Sequence, residues 1–390
     1  MKRSEWDSCL KGFSIVDCTI KNSRAAYLLA VVDNFDRRKK FEEWRVISWA
    51  PDFFPEEKTI SKSIFKNLRS VPSLAIEGEP YNRLYLADTG GYGYLVGSGD
   101  EEAPAIKKLK TFWEELYILS SAYIYKRNAE TNEWEEICSY PPMLAEENLR
   151  VEKLREQGKS INRKYVLKDF DAFAPDAFYL LDWKGIVLYQ ESGEWQEIDL
   201  KSLGYKKLQT DGICCGPDGW VYIFGKDEKG GKIFQGKGDR WKVIWEASNE
   251  IYHIDFVAYQ DHVILSNSHM LVRIKDGQIE RFNPPIYCKY LSVRGDLLMI
   301  ASGSEAAIYD GKEWKVIISP LFNEDGVYEP NALHLSTNET ALLNDTLEAT
   351  ESNSAEEAEA IIEELKILDE TAIAELQKNI YNAVKKDLKK

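Results

Sequence analysis

One phrase, repeated with variation and written in strand-forming residues, predicts an all-β fold. The expected architecture is a β-propeller of about seven four-stranded blades, with six as the competing count, followed by a C-terminal α-helical extension. The first observation is the phrase. A short turn holding an acid leads into an apolar and aromatic run, a second short strand follows, and each copy closes on Trp or Ile beside charged residues. Asp176 with Glu194-Trp195, Asp218 with Arg240-Trp241, Asp261 with Gln278-Ile279 and Asp296 with Glu313-Trp314 mark the four clearest copies. The second observation is the interval: these acids lie 42, 43 and 35 residues apart, the length of one propeller blade. The third is composition. Eleven Trp and 21 Tyr favour strands, because flat rings pack well on a pleated surface.

Upstream copies are looser. Glu114-Glu115 with Glu133-Trp134 is a good one, Tyr81-Asn82 followed by Gly93 matches the first half, and Ser23-Arg24 with Glu43-Trp44 completes seven units between Phe13 and Ile318. Asp276-Gly277 and Asp310-Gly311 fall between apolar runs, and Asp-Gly supplies the positive φ that tight hairpins require. The continuously apolar runs from Val221 and Leu297 suit strands covered on both faces by neighbouring blades. The recurring Trp is then expected to fill space between blades.

Two insertions are expected in the propeller of residues 1–330. Residues 50–72 read as a loop with a helical turn. Residues 141–166 begin with Pro141-Pro142 and place Leu144, Leu149, Val151 and Leu154 at helix-like spacing. Residues 331–356 read as a flexible acidic linker, rich in Thr, Asn, Ser and Glu. Residues 357–390 read as an amphipathic helical tail: Ile361, Leu365 and Leu368 recur at helical intervals, as do Ile373, Leu376, Ile380 and Val384 after Asp369. Such a tail buries its apolar stripe against the propeller or against another chain, and in the second case mediates self- or partner association.

The formal charge of −15 argues against nucleic-acid binding, which needs a basic face to neutralise phosphates. It suits a protein that steers a basic partner toward itself. Six scattered cysteines without a CxxC pair read as buried thiols in a reducing compartment. The N-terminus lacks the apolar core of a signal peptide, and no run has the length of a membrane helix. The expected location is the cytoplasm, without membrane association.

No GxSxG, HExxH, Walker A or helix-opening GxGxxG is present, and neither catalysis, a metal nor a cofactor is expected. The candidate site is positional. Asp169, Asp211 and Asp255, with His253 beside the last, lie six or seven residues before a repeating acid. In that register they open the inner strands of consecutive blades and ring one mouth of the central channel. Clustered carboxylates in a concave mouth would attract a basic side chain or a cation. The competing reading has each acid closing its own local turn.

Residues 110–318 resemble kelch- or WD40-like propellers in their repeat phrasing, without the Gly-His and Trp-Asp dipeptides or the kelch double glycine. Leu86-Ala-Asp-Thr-Gly resembles the turn of NHL-type blades and bears on the fold only. The stretch from Asp218 to Trp241 resembles propeller proteins found beside bacterial secreted-toxin genes. That resemblance implies an immunity or accessory protein that occludes a basic partner such as a toxin domain. The alternative is a propeller enzyme or carbohydrate-binding module using channel-mouth acids with Trp183 or Trp220.

Overall fold

The computed structural model describes residues 1–330 apart from 34–42, 55–57, 67, 69–71, 96–98, 121–122, 138–140, 192, 248–254 and 268–270. The chain divides into two units, Met1–Glu329 and Pro330–Lys390. The expected linker and helical tail lie outside the described residues.

The first unit holds seven four-stranded antiparallel sheets among the described residues, each built from four consecutive strands. Numbered along the chain as blades 1 to 7, their inner strands are Phe13–Asn22, Ser73–Ile76, Lys108–Phe112, Leu167–Ala172, Gln209–Cys215, Asp255–Tyr259 and Tyr290–Arg294. Each inner strand packs beside that of the next blade, and that of blade 7 packs beside that of blade 1. The ring therefore closes, and the protein is a seven-bladed β-propeller.

The repeated phrase finds its place in this ring. Asp176, Asp218, Asp261 and Asp296 all fall in the turn between the first and second strands of their blades. Hairpin chemistry follows the expectation: Asp276 and Gly277 have φ of 51° and 79°, the left-handed pair that a two-residue turn requires. Trp134, Trp195, Trp241 and Trp314 lie on outer strands, half-buried against the apolar clusters between blades. Seven such clusters fill the seven seams. The sheets thus bury both faces, which is why their central strands read as unbroken apolar runs.

Two expectations change. Ile60–Phe65, expected inside an insertion with a helical turn, is the outer strand of blade 1, paired with Trp44–Trp49. Trp44 is accordingly on the third strand, one strand earlier than the phrase suggested, and is fully buried. The second insertion does carry a helix, Pro142–Glu156, which buries Leu144 and Val151. Leu144 joins the seam between blades 3 and 4.

Among the described residues each blade is built from its own four consecutive strands, and the seam between blades 7 and 1 is held by other contacts. The Ile15 amide donates to Gly303 O at 2.5 Å, and the Ile20 amide donates to Ser292 Oγ at 3.1 Å. The N-terminal helix Arg3–Cys9 lies across the same seam. Its Trp6 Nε1 donates to Ser304 O at 3.0 Å, and Glu5 Oε1 accepts from the Thr59 amide at 2.6 Å.

Candidate functional site

Because the inner strands stand side by side around an axis, their inward side chains share one space. A cavity of about 360 Å³ occupies it, lined by residues of all seven inner strands. Asp17, Asp171 and Asp255 bring carboxylates to it, and Lys108 and Lys110 bring ammonium groups.

The carboxylates follow a common rule. Asp17 Oδ1 accepts from the Cys18 amide at 2.8 Å, and its Oδ2 accepts from the Leu74 amide at 2.8 Å and from Ser73 Oγ at 2.9 Å. Asp171 accepts from the amides of Ala172 and Cys215 at 2.8 and 2.9 Å. Asp255 accepts from those of Phe256 and Leu291 at 3.1 and 2.9 Å. One oxygen thus fixes the side chain to its own strand, and the other binds the inner strand of the next blade. Asp169 does the same from blade 4, reaching the Ile213 amide at 3.2 Å. All four acids stitch blades together, and Asp17, Asp171 and Asp255 do so while standing at the cavity.

Lysines cross this ring. Lys110 Nζ lies 3.0 Å from Asp169 Oδ1 and donates to Phe170 O at 2.5 Å. Burial disfavours its charge, but Asp169 and Asp171 outweigh that and hold the ammonium protonated far above its ordinary range. Lys108 Nζ stands 3.9 Å from Asp255 Oδ1. Blades 3 and 6 are as far apart as a seven-membered ring allows, so this pair spans the channel. Three carboxylates line the cavity with these two lysines, and Asp169 pairs with Lys110 from the seam, so the channel is acidic in balance.

Burial, the largest influence on Asp17, pushes its carboxyl up to about 6; the Leu74 amide and Ser73 hydroxyl pull the other way. Burial likewise raises Asp171. The thiols of Cys18, Cys214 and Cys215 are pushed well up by burial, so they stay protonated at neutral pH and are poor nucleophiles.

Of the residues expected at the mouth, Asp255 lines the cavity, whereas Asp169 and Asp211 do not. Asp169 is only 5% exposed and turned into the seam between blades 4 and 5. Asp211 pairs with Lys168 at 3.3 Å. Single-residue bulges at Lys168 and Asp211 explain the difference: an extra residue re-aims the side chains around it, which a period-two reading cannot anticipate. His253 lies outside the described residues. Sequence reasoning missed Asp17, Asp171, Lys108 and Lys110. A usable signal was the Asp five or six residues ahead of the turn acid in blades 4 and 6, Asp171 and Asp255.

Among the described residues, no group of three or more His, Cys, Asp or Glu could hold a metal ion, and no helix is long and apolar enough to cross a membrane.

No protein-family model and no curated protein matches the chain. Solved structures that resemble it include two described as β-propellers. The WD40 β-propeller domain of Doa1 has 7% identity and a TM-score of 0.48, over 74% of this chain and 89% of that one. YCF48 from Cyanidioschyzon merolae has 10% identity and a TM-score of 0.48, over 76% and 95%. The β-propeller domain of the Trilobed protease from Pyrococcus furiosus has 11% identity and a TM-score of 0.46, over 81% and 98%. The seven-bladed assignment rests on the strand pairing itself.

Proposed function

We propose that this chain is a non-catalytic binding propeller that receives a basic group of a protein partner at its central channel. The observation that carries this reading is the channel's charge balance: Asp17, Asp171 and Asp255 line a cavity of about 360 Å³ with Lys108 and Lys110, and Asp169, in the seam behind, neutralises Lys110 at 3.0 Å. Low-dielectric walls focus the field of such a cluster and raise the local concentration of a cation. The carboxylates are also fixed by amide hydrogen bonds, so the site is preorganised and loses little entropy on binding.

The kind of partner follows from the resemblance of residues 218–241: a basic toxin domain, occluded by this chain as an immunity or accessory protein. The described cysteines Cys9, Cys18, Cys214, Cys215 and Cys288 are free and buried, which supports a reducing, cytoplasmic setting. The amphipathic residues 357–390 would mediate self- or partner association.

The test uses the full chain and an Ala258→Lys variant. Ala258 is an exposed residue of the channel wall, outside the amide stitches, and lysine there would fill the cavity with a cation. Wild-type bait in extracts of the source cell should retain a stoichiometric partner of basic isoelectric point, and the variant should not. Equal retention by a folded variant, or a wild-type bait without a basic partner, would sink the reading.

One observation favours a second reading. A carboxyl titrating near pH 6 inside a cavity is suited to general acid–base work, so Asp17 would serve a propeller hydrolase or a carbohydrate-processing site. Turnover of a glycoside or lactone panel, abolished by Asp17→Asn, would establish that reading over the first.

A further inference from the structure

The mouth of the channel on the side of the turns between first and second strands holds an unusual hairpin. Lys108–Phe112 and Glu115–Leu119 pair with Phe112 opposite Glu115, leaving a two-residue turn of Trp113 and Glu114. Both residues have positive φ, 47° and 67°. Asp276-Gly277 meets the same demand with the residues that suit it, whereas bulky side chains in this region cost about 1–3 kcal/mol each. Strain kept at two neighbouring positions points to side chains wanted for something other than folding.

Those side chains face a built-in guanidinium. Arg294, at the end of the blade 7 inner strand, donates through Nη2 to Glu114 Oε2 at 2.7 Å and to Asn82 Oδ1 at 3.0 Å. Blade 3 is the farthest from blade 7 around the ring, so Arg294 reaches across the mouth. Asn82 also has positive φ, 48°. Backbone contact fixes the arrangement: the Gly78 amide donates to Glu114 O at 2.7 Å, and a Cβ on Gly78 would come within 2.6 Å of Glu114 Cα. Beside Glu114, Trp113 packs edge-on against Tyr117 and Phe178 yet is 43% exposed. The Glu114 side chain is 53% exposed and that of Arg294 18%.

We propose that Trp113, Glu114 and Asn82 form a recognition site for an arginine side chain of the partner, and that Arg294 occupies it as an internal placeholder until that arginine arrives. The inference rests on the basic-partner reading and adds where an arginine is read and how the mouth is kept filled without one. Glu114 and Asn82 already accept from a guanidinium here, and a planar guanidinium stacks on an aromatic face where lysine's compact ammonium does not. An exposed indole beside them offers the face on which an incoming guanidinium stacks. Glu114 is open enough to exchange partners, and an exposed pair of this kind holds its geometry weakly.

The probe is acetyl-Gly-Arg-Gly-amide, with its lysine and citrulline analogues, titrated onto the full chain and followed by ligand-observed NMR. The arginine peptide should bind in preference to both analogues. Arg294→Ala should tighten its binding about twofold to fivefold, because the competing internal group is gone. Glu114→Gln and Trp113→Ala should each weaken it. Arg294→Gln serves where the alanine variant does not fold. Unchanged or weaker binding in the folded Arg294 variants, equal binding of the citrulline peptide, or no binding overturns the proposal. A partner lost by Ala258→Lys but retained by Glu114→Gln would refute the placeholder site alone and leave the channel reading standing.

Discussion

Asp17 shows how one side chain can serve both the scaffold and the site. One oxygen anchors it to its own strand in blade 1 and the other ties it to blade 2, and its place in the channel wall removes it from water, raising its carboxyl to about 6. The linkage sign follows. The unfolded carboxyl titrates near 3.9, so between about pH 4 and 6 the native state binds more protons than the unfolded one. Stability therefore falls as pH rises through that window, by on the order of 2 kcal/mol from this group. Carbon-detected titration of the Asp17 carboxyl should give a midpoint near 6; a midpoint below 4.5 would show that its amide bonds outweigh burial. Asp171 shifts in the same direction and for the same leading cause.

At the scale of elements, the N-terminal helix does what a shared strand does in many closed rings. Trp6 is 8% exposed and lies in the cluster filling the seam between blades 7 and 1. Trp6→Ala should cost about 3 kcal/mol, and hydrogen exchange should quicken first at the Ile15 and Ile20 amides, which bond across that seam. Uniform quickening that includes the seam between blades 4 and 5 would refute the latch. None of this was legible in the sequence, where residues 3–9 carry no repeat signal. The blades were legible because those numbered 3, 4, 5 and 7 repeat a turn acid and an outer Trp. The acids of the channel were only half legible: Asp255 emerged from its register, while bulges at Lys168 and Asp211 moved Asp169 and Asp211 off the predicted face. The outer strand Ile60–Phe65 hid for another reason. Ser61, Lys62 and Ser63 interrupt its sequence, and a solvated edge strand has no apolar run to announce it.

Across the whole molecule, the seven seams fix the ring and the ring creates the channel, so no single blade contains the site. This is why motif searching finds no chemistry: the carboxylates and lysines around the cavity belong to blades 1, 3, 4 and 6 and are scattered between residues 17 and 255. Two opposite-sign contacts cross the axis, Lys108 with Asp255 and Arg294 with Glu114, and both leave the surrounding acids in excess. The most direct test of that account is the dissociation constant of the purified basic partner for the wild-type chain and for Ala258→Lys, measured at the same ionic strength. At least a tenfold weakening with an unchanged melting temperature is predicted, corresponding to about 1.4 kcal/mol or more of lost binding. Equal dissociation constants for the two folded proteins would contradict it and remove the channel from the binding surface.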